Sequence, residues 1–534
     1  MSGPSSFLFS MRRNALAFWC GSAVVSVGVL LHLPMFWMGR TIGFRLAGMP
    51  MDAGMLLGMA LIVAGIIAAG YGLLPARRPQ RVTYESIAPP EEASLTAAHW
   101  RVMGVLAVAL VIDIMKPASL GFVTPGMRVE YGVDPATVAL LPLSALLGTA
   151  AGSFVWGVLA DVYGRRASIL LSSVMFVGTS ICGAMPSFWW NVAMCFLMGA
   201  GAGGMLPVAY ALLAEIVPTT SRGWCMVLVG GIGTMGGYFA ASASSALLQP
   251  FFGWRIMWFL NLPTGLILIA LSPLLPESAR FLQQVGRLDE ARATLAYFGV
   301  VAAPHPCASG PGAGEGREPV GPLRPQNLLG TGIALTLAAL AWGFVNFGVL
   351  LWLPSTLVAE GRSVGLASAV IARSTLIAAP TVLAAAYLCS VWSTKRALLL
   401  AIGITTLGLL AVLLRALPTL SLSLLIIGSS GVISILLPYA AEISPIMVRG
   451  RATGWVAGWS KLGGLIAQGL SALALVPALG SASAAIAAPA TMSLLLIAIF
   501  GRETRGRDLR ELETGQAHFP AGRAVTTKRS DPIV

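Results

Sequence analysis

The chain has 534 residues, 56% of them hydrophobic and only 10% charged, with a formal net charge of +13. Mean hydropathy is +0.82, and soluble domains carry roughly 25% charged residues, so a large water-soluble domain is excluded and most of the chain belongs in lipid. The basic excess is spread over the connections between apolar runs, which argues against a nucleic-acid partner.

A membrane-crossing helix needs about 20 apolar residues. Runs of that kind lie near 15–38, 54–75, 100–122, 137–160, 167–185, 189–214, 225–248, 256–275, 328–353, 365–390, 397–415, 420–440, 453–476 and 482–500. They predict an all-α polytopic membrane protein of about fourteen helices. Residues 1–98 form a two-helix membrane extension and its polar linker, 99–276 a first six-helix bundle, and 277–326 a central loop. Residues 327–500 form a second six-helix bundle and 501–534 a polar tail. The segment 301–326, rich in Gly and Pro, reads as disordered. The first run is too long for a signal peptide and follows Arg12 and Arg13, which fits an uncleaved anchor.

Arg12, Arg13, Arg77, Arg78, Arg81, Arg165, Arg166, Arg222, Lys395, Arg396, Arg449 and Arg451 fall in alternate connections. The intervening ones hold fewer basic residues, among them Arg40, Arg45 and Arg128. This positive-inside pattern places both termini in the cytoplasm; the expected location is the plasma (inner) membrane. Cysteines 20, 182, 195, 225, 307 and 389 are scattered without paired or metal-like spacing and read as buried thiols.

The element Glu-x-x-Pro-x-x-x-Arg-Gly occurs twice with the same internal spacing. One copy runs from Glu215 through Arg222, the other from Glu442 through Arg449, each after an apolar run. A signature repeated at half-chain distance predicts two related helix bundles. A third charged turn, Gly157-Val-Leu-Ala-Asp161-Val-Tyr-Gly164-Arg165-Arg166, connects two helices of the first bundle. Asp161, Arg165, Arg166, Glu215, Arg222, Glu442 and Arg449 are therefore candidates for a latch that closes one face of the protein. The alternative is a solvated cluster that only orients the chain.

Ionisable residues inside spans are costly and are functional candidates by default. Asp113 and Lys116 lie in the first core helix, Arg373 in the eighth and Lys461 in the eleventh. Asp113 and Lys116, three residues apart, share a helix face and can pair. Three cations against one acid favour an anionic substrate such as a carboxylate. The alternative keeps Asp113–Lys116 as a structural pair and lets Arg373 and Lys461 snorkel or bond backbone carbonyls. Asn346 in the seventh core helix fits either a cavity donor or a helix–helix bond. Gly199, Gly201 and Gly203 read as close-packing positions.

Together these motifs resemble the major facilitator superfamily over about residues 100–512. The turn at 157–166 is similar to the hallmark loop of that family. Pro276-Glu277-Ser278-Ala-Arg280 and Glu503-Thr504-Arg505-Gly506-Arg507 resemble sugar-porter elements, with Arg502 where proline is expected. Trp352-Leu353-Pro354 resembles the metabolite:proton symporter and synaptic-vesicle-protein-like branches. The resemblance implies two six-helix bundles around a central site, alternating access and proton-coupled uptake. Lys116, Cys195 and Met205 stand where relatives carry charged residues, which leaves Asp113 as the remaining proton carrier.

The expected function is secondary active transport of a small organic metabolite, with export of drug-like compounds or non-transporting solute sensing as alternatives. Expected partners are that small molecule, the lipid bilayer and protons. The four His (32, 99, 305, 518) show no catalytic context, so no enzyme is expected. His32 with Met35, Met38, Met49 and Met51 offers soft ligands, but Met commonly fills apolar gaps, so no metal or cofactor is expected.

Overall fold

The computed structural model describes residues 4–74, 94–218, 221–300, 328–414, 418–443, 449–475 and 478–504. The side chains of 4–13, 284, 328, 418, 441–442 and 449–454 lie outside that description, as do residues 301–326 of the expected central loop and the tail beyond Thr504. Thirteen helices among the described residues are long and apolar enough to cross a membrane. A fourteenth long helix, Arg449–Ala472, falls below that apolarity because Lys461, Gln468 and its glycines dilute it.

In chain order the long elements are α1 (Pro4–Leu30), α2 (Ala53–Leu73), α3 (Ala97–Tyr131), α4 (Leu140–Tyr163), α5 (Arg165–Gly178) and α6 (Phe188–Ala202). They continue as α7 (Met205–Ile216), α8 (Arg222–Phe252), α9 (Asn261–Ala270), α10 (Leu328–Phe344), α11 (Leu350–Ala359) and α12 (Val364–Ala378). The last are α13 (Pro380–Val391), α14 (Thr394–Leu413), α15 (Pro418–Ile443), α16 (Arg449–Ala472) and α17 (Leu479–Phe500). Three spans are each divided between two of these helices. Gly203-Gly204 separates α6 from α7, Pro380 starts α13, and a π-helical turn at Val345–Val349 joins α10 to α11. Such turns recur at functional sites, and irregular backbone at membrane depth is tolerated where protein surrounds it.

Local chemistry explains several helix starts. The Asp52 carboxylate accepts from Met55 N (2.7 Å) at α2. Thr96 and His99 form a capping box at α3. The Ser393 hydroxyl accepts from Arg396 N (3.0 Å) at α14. The close-packing expectation holds for Gly199 and for Gly203, where a Cβ would sit 2.2 Å from the Thr149 carbonyl, but not for Gly201, where it would meet only Met175 at an ordinary 3.6 Å. A Cβ on Gly199 would sit 1.9 Å from the Ala145 carbonyl, and one on Gly152 2.2 Å from that of Ala200. Only glycine permits that approach.

The amino-terminal hairpin α1–α2 is docked on the core. Val25, Met55 and Ile62 share an apolar cluster with Leu170, Val174, Val177 and Ile181 of the α5 region. Its connection is also hydrogen-bonded, because Leu46 N and Ala47 N donate to Glu130 Oε1 (2.7 and 3.0 Å) at the far end of α3. The start of the central loop is ordered as two short helices, Ala279–Gln284 and Leu288–Tyr297. Ala291, Leu295 and Phe298 are fully buried there, and the Phe298 ring lies 4.7 Å from that of His99.

α8 forms the seam between the first six core spans and the last six. Its Tyr238 hydroxyl reaches Asn346, and its Ser245 hydroxyl lies 2.7 Å from that of Ser368. Farther along, Gly121 of α3 abuts the Leu351 backbone of α11.

Candidate functional site

The intramembrane charges are not arranged as the spacing along the helix suggests. Asp113 and Lys116 are both buried on α3, yet they form no ion pair. The Lys116 ammonium lies 3.0 Å from the ring centroid of Phe176 on α5 and has no hydrogen-bond partner. A cation over a ring face is attracted by the ring quadrupole, so Lys116 turns into the packing of the first six spans. Asp113 Oδ1 is buried without a hydrogen-bond partner. Its carboxylate lies within range of the charges of both Lys461 and Lys116. Lys461 comes from α16, which packs between α10 and α4. Its ammonium is 5.7 Å from the centroid of the Phe347 ring, and Trp342 meets that ring edge-on at 5.7 Å.

Arg373 does not join this group. It is exposed on the outer stripe of α12 with Leu366, Leu376 and Ile377, because Ser374 and Thr375 take the inward face. Of the three cations expected together, two are within charge range of Asp113, and Arg373 is exposed apart from them. Arg373→Leu is expected to leave the unfolding temperature unchanged or raised; a drop of several degrees would place the guanidinium in a buried contact.

Asn346 sits in the π-helical turn and is buried. Its side-chain amide donates to the Trp342 carbonyl (3.0 Å), and its backbone carbonyl accepts from the Tyr238 hydroxyl (3.2 Å). One of its two amide N–H groups is thus used within its own helix, and the bond to Tyr238 ties the two groups of six spans together. Trp352 Nε1, on the next helix, is buried with no partner.

At the charged turn, Arg165 Nη2 lies 2.8 Å from Glu215 and 3.6 Å from Asp161. Asp161 itself is 69% exposed. Arg166 donates to the Ser272 carbonyl (3.2 Å). Arg222 is half-buried at the start of α8. The side chains of Glu442 and Arg449 lie outside the described residues.

The residue that organises this turn is Glu277, which charge spacing alone did not single out. Its carboxylate accepts from the backbone N–H groups of Arg165 (2.8 Å) and Arg166 (3.2 Å) at the start of α5, where a helix favours negative charge. Glu503 repeats the arrangement at α14. It accepts from Thr394 N (3.0 Å) and the Ser393 hydroxyl. Lys395 donates to the Ala498 carbonyl (2.9 Å), as Arg166 does to that of Ser272. The signal was present as an acid shortly after the sixth and the twelfth core spans, but its partner lies 112 residues away in one copy and 109 in the other.

Burial pushes the Glu277 carboxyl above the usual carboxylate range, against the pull of its backbone donors and Arg165. A carboxyl with a raised folded-state value holds its proton more tightly in the fold than in the unfolded chain. Its contribution to stability is therefore largest in acid and is lost as pH rises from the ordinary value, 4.5, through the raised one. Glu277→Gln is expected to remove that slope from thermal unfolding followed across this window, and an unchanged slope would contradict the assignment.

The sequence profile of the Major Facilitator Superfamily matches residues 105–467, more than half of the chain. The chain belongs to the Major Facilitator Superfamily. As a member of it, the protein is a multi-pass integral membrane transporter that binds small-molecule substrates. It is 25% identical over 430 residues to the niacin transporter of Acinetobacter baylyi, covering 78% of this chain and 96% of that one. It is 30% identical over 198 residues to the synaptic vesicle 2-related protein of Xenopus laevis, covering 37% and 36% of the two chains. Among solved structures, the xylose transporter XylE from E. coli, a proton symporter, superposes with a TM-score of 0.62 at 19% identity, over 79% of this chain and 99% of that one. That likeness is one of fold: two six-helix bundles, here preceded by α1 and α2.

Proposed function

We propose that the protein moves a small organic anion, a monocarboxylate bearing a flat ring, by alternating access with a proton as coupling ion. The observation that carries this reading is Lys461. It is a cation on the least apolar of the long helices, within charge range of Asp113 on the opposite group of spans, and near the Phe347 ring, which Trp342 in turn meets edge-on. An ammonium next to ring faces matches a carboxylate on an aromatic or heteroaromatic ring. The niacin transporter named above is similar over nearly its whole length, and niacin is a pyridine carboxylate. Asp113, the acid of this group, is the proposed proton carrier, and the proton-symporter fold neighbour agrees with that role. We take the basic residues of the Asp161–Arg166 and Lys395–Arg396 turns to lie on one face. We assign it to the cytoplasm of the plasma (inner) membrane, together with both termini and the latch formed by Arg165, Glu215 and Glu277.

The test is thermal stabilisation of the purified full-length protein by nicotinate, nicotinamide and xylose. A ligand that binds the folded state raises the unfolding temperature by mass action. Nicotinate is expected to stabilise, and its neutral amide and the sugar are expected to have little effect. Equal stabilisation by nicotinate and nicotinamide would remove the anion from the reading, and stabilisation by xylose alone would replace it with a neutral-sugar site.

A further inference from the structure

A cavity lined by neither Asp113 nor Lys461 has no part in the site just described. It encloses about 150 Å³ between α8, α13, α14 and α15, and its walls include Gly231, Met235, Ala385, Leu388, Leu400 and Ile404. The lining is aliphatic apart from the hydroxyls of Thr381, Ser430 and Ser434. Leu400 is 46% exposed, so the cavity opens at the surface of the bundle. Its position along α13 and α14 puts it within about three turns of the Lys395–Arg396 turn.

Arg396 stands four residues before Leu400, one turn nearer the membrane surface on the same side of α14. Arg396 is exposed, and its guanidinium lies 5.7 Å from the centroid of the Trp392 ring, which is 45% exposed. Trp and Arg at this level are the residues that meet lipid headgroups. An apolar slot with a cation at its mouth is complementary to a molecule with an aliphatic chain and an anionic head.

We propose that this cavity is a binding site for one anionic phospholipid of the leaflet on the Arg396 side, with an acyl chain in the slot and the headgroup phosphate on Arg396. Basic pockets between membrane helices bind acidic headgroups in this way. The slot has one wall from α8 and the others from the last six spans, so the lipid bridges the two groups and favours the arrangement seen here. The lipid is thereby a regulator of the conformational cycle and makes no contact with the transported solute.

The experiment is native mass spectrometry of the delipidated full-length protein titrated with dioleoyl-phosphatidylglycerol or dioleoyl-phosphatidylcholine. The first phosphatidylglycerol is expected to bind more tightly than the first phosphatidylcholine. Arg396→Gln, a change at an exposed side chain, is expected to weaken phosphatidylglycerol binding about fivefold and to abolish the preference between the lipids. Ala385→Phe, which fills the slot, is expected to remove both first-lipid events while nicotinate stabilisation stays as in the parent. Equal affinity for the two lipids in the parent protein, or parent-like phosphatidylglycerol binding in Arg396→Gln, overturns the assignment.

Discussion

Lys461→Met is expected to abolish anion recognition while leaving the protein folded. Methionine keeps the length and apolar contact of the side chain beside Phe347 and removes only the charge. The substrate carboxylate then loses its ion partner, and Asp113 loses one of the two cations within range. Truncating one member of a buried charge pair costs about 2 kcal/mol or more, a loss of roughly 30-fold or greater in affinity. KM for nicotinate uptake by the reconstituted protein should rise by at least that factor. Lys461→Arg should recover part of the loss, because the charge returns with a different donor geometry. An unchanged KM in Lys461→Met would move recognition to other residues.

The largest expected effect on stability is at Glu130. This carboxylate binds Arg255 at 2.6 Å, and both side chains are nearly or fully buried. It also accepts from Trp254 Nε1 (2.7 Å) and from two backbone N–H groups of the amino-terminal hairpin. Arg255 is further held by the carbonyls of Gly183 (3.1 Å) and Met185 (2.9 Å) and by the Tyr131 hydroxyl (3.1 Å). Glu130→Ala leaves a buried guanidinium without its counter-charge, which costs about 3–5 kcal/mol. Thermal unfolding should show that loss, and Glu130→Ala with Arg255→Met should be more stable than Glu130→Ala alone. A single-variant loss below about 1 kcal/mol would mean that the pair is open to water in the working protein.

The two expectations differ in how far the sequence alone supports them. The hydrophobic runs and the turn from Gly157 to Arg166 already specified an all-helical membrane transporter of this family. Those features are local, set by hydropathy and by short-range spacing. The site was legible only in part. Spacing of three placed Asp113 and Lys116 on one face of α3, but it carried no information about Phe176, which lies on another helix and draws Lys116 away. Arg373 looked buried because its span is apolar, yet a lipid-facing stripe is also apolar, and only the inward turn of Ser374 and Thr375 separates the two cases. Lys461 and Asp113 are more than 300 residues apart, and nothing in either neighbourhood marks the other. Glu277 and Glu503 act on helix starts that are distant in sequence. Glu130 holds an extension outside the matched region by accepting from backbone groups, a role that no side-chain pattern encodes.

The most direct measurement is uptake of radiolabelled nicotinate into sealed liposomes containing the full-length protein, with and without an imposed pH gradient. The account predicts saturable uptake, faster when the outside is acidic, lost in Lys461→Met and no longer responsive to the gradient in Asp113→Asn. Uptake of a neutral sugar with no flux of any carboxylate, or nicotinate flux that is unaltered in Lys461→Met, would contradict it.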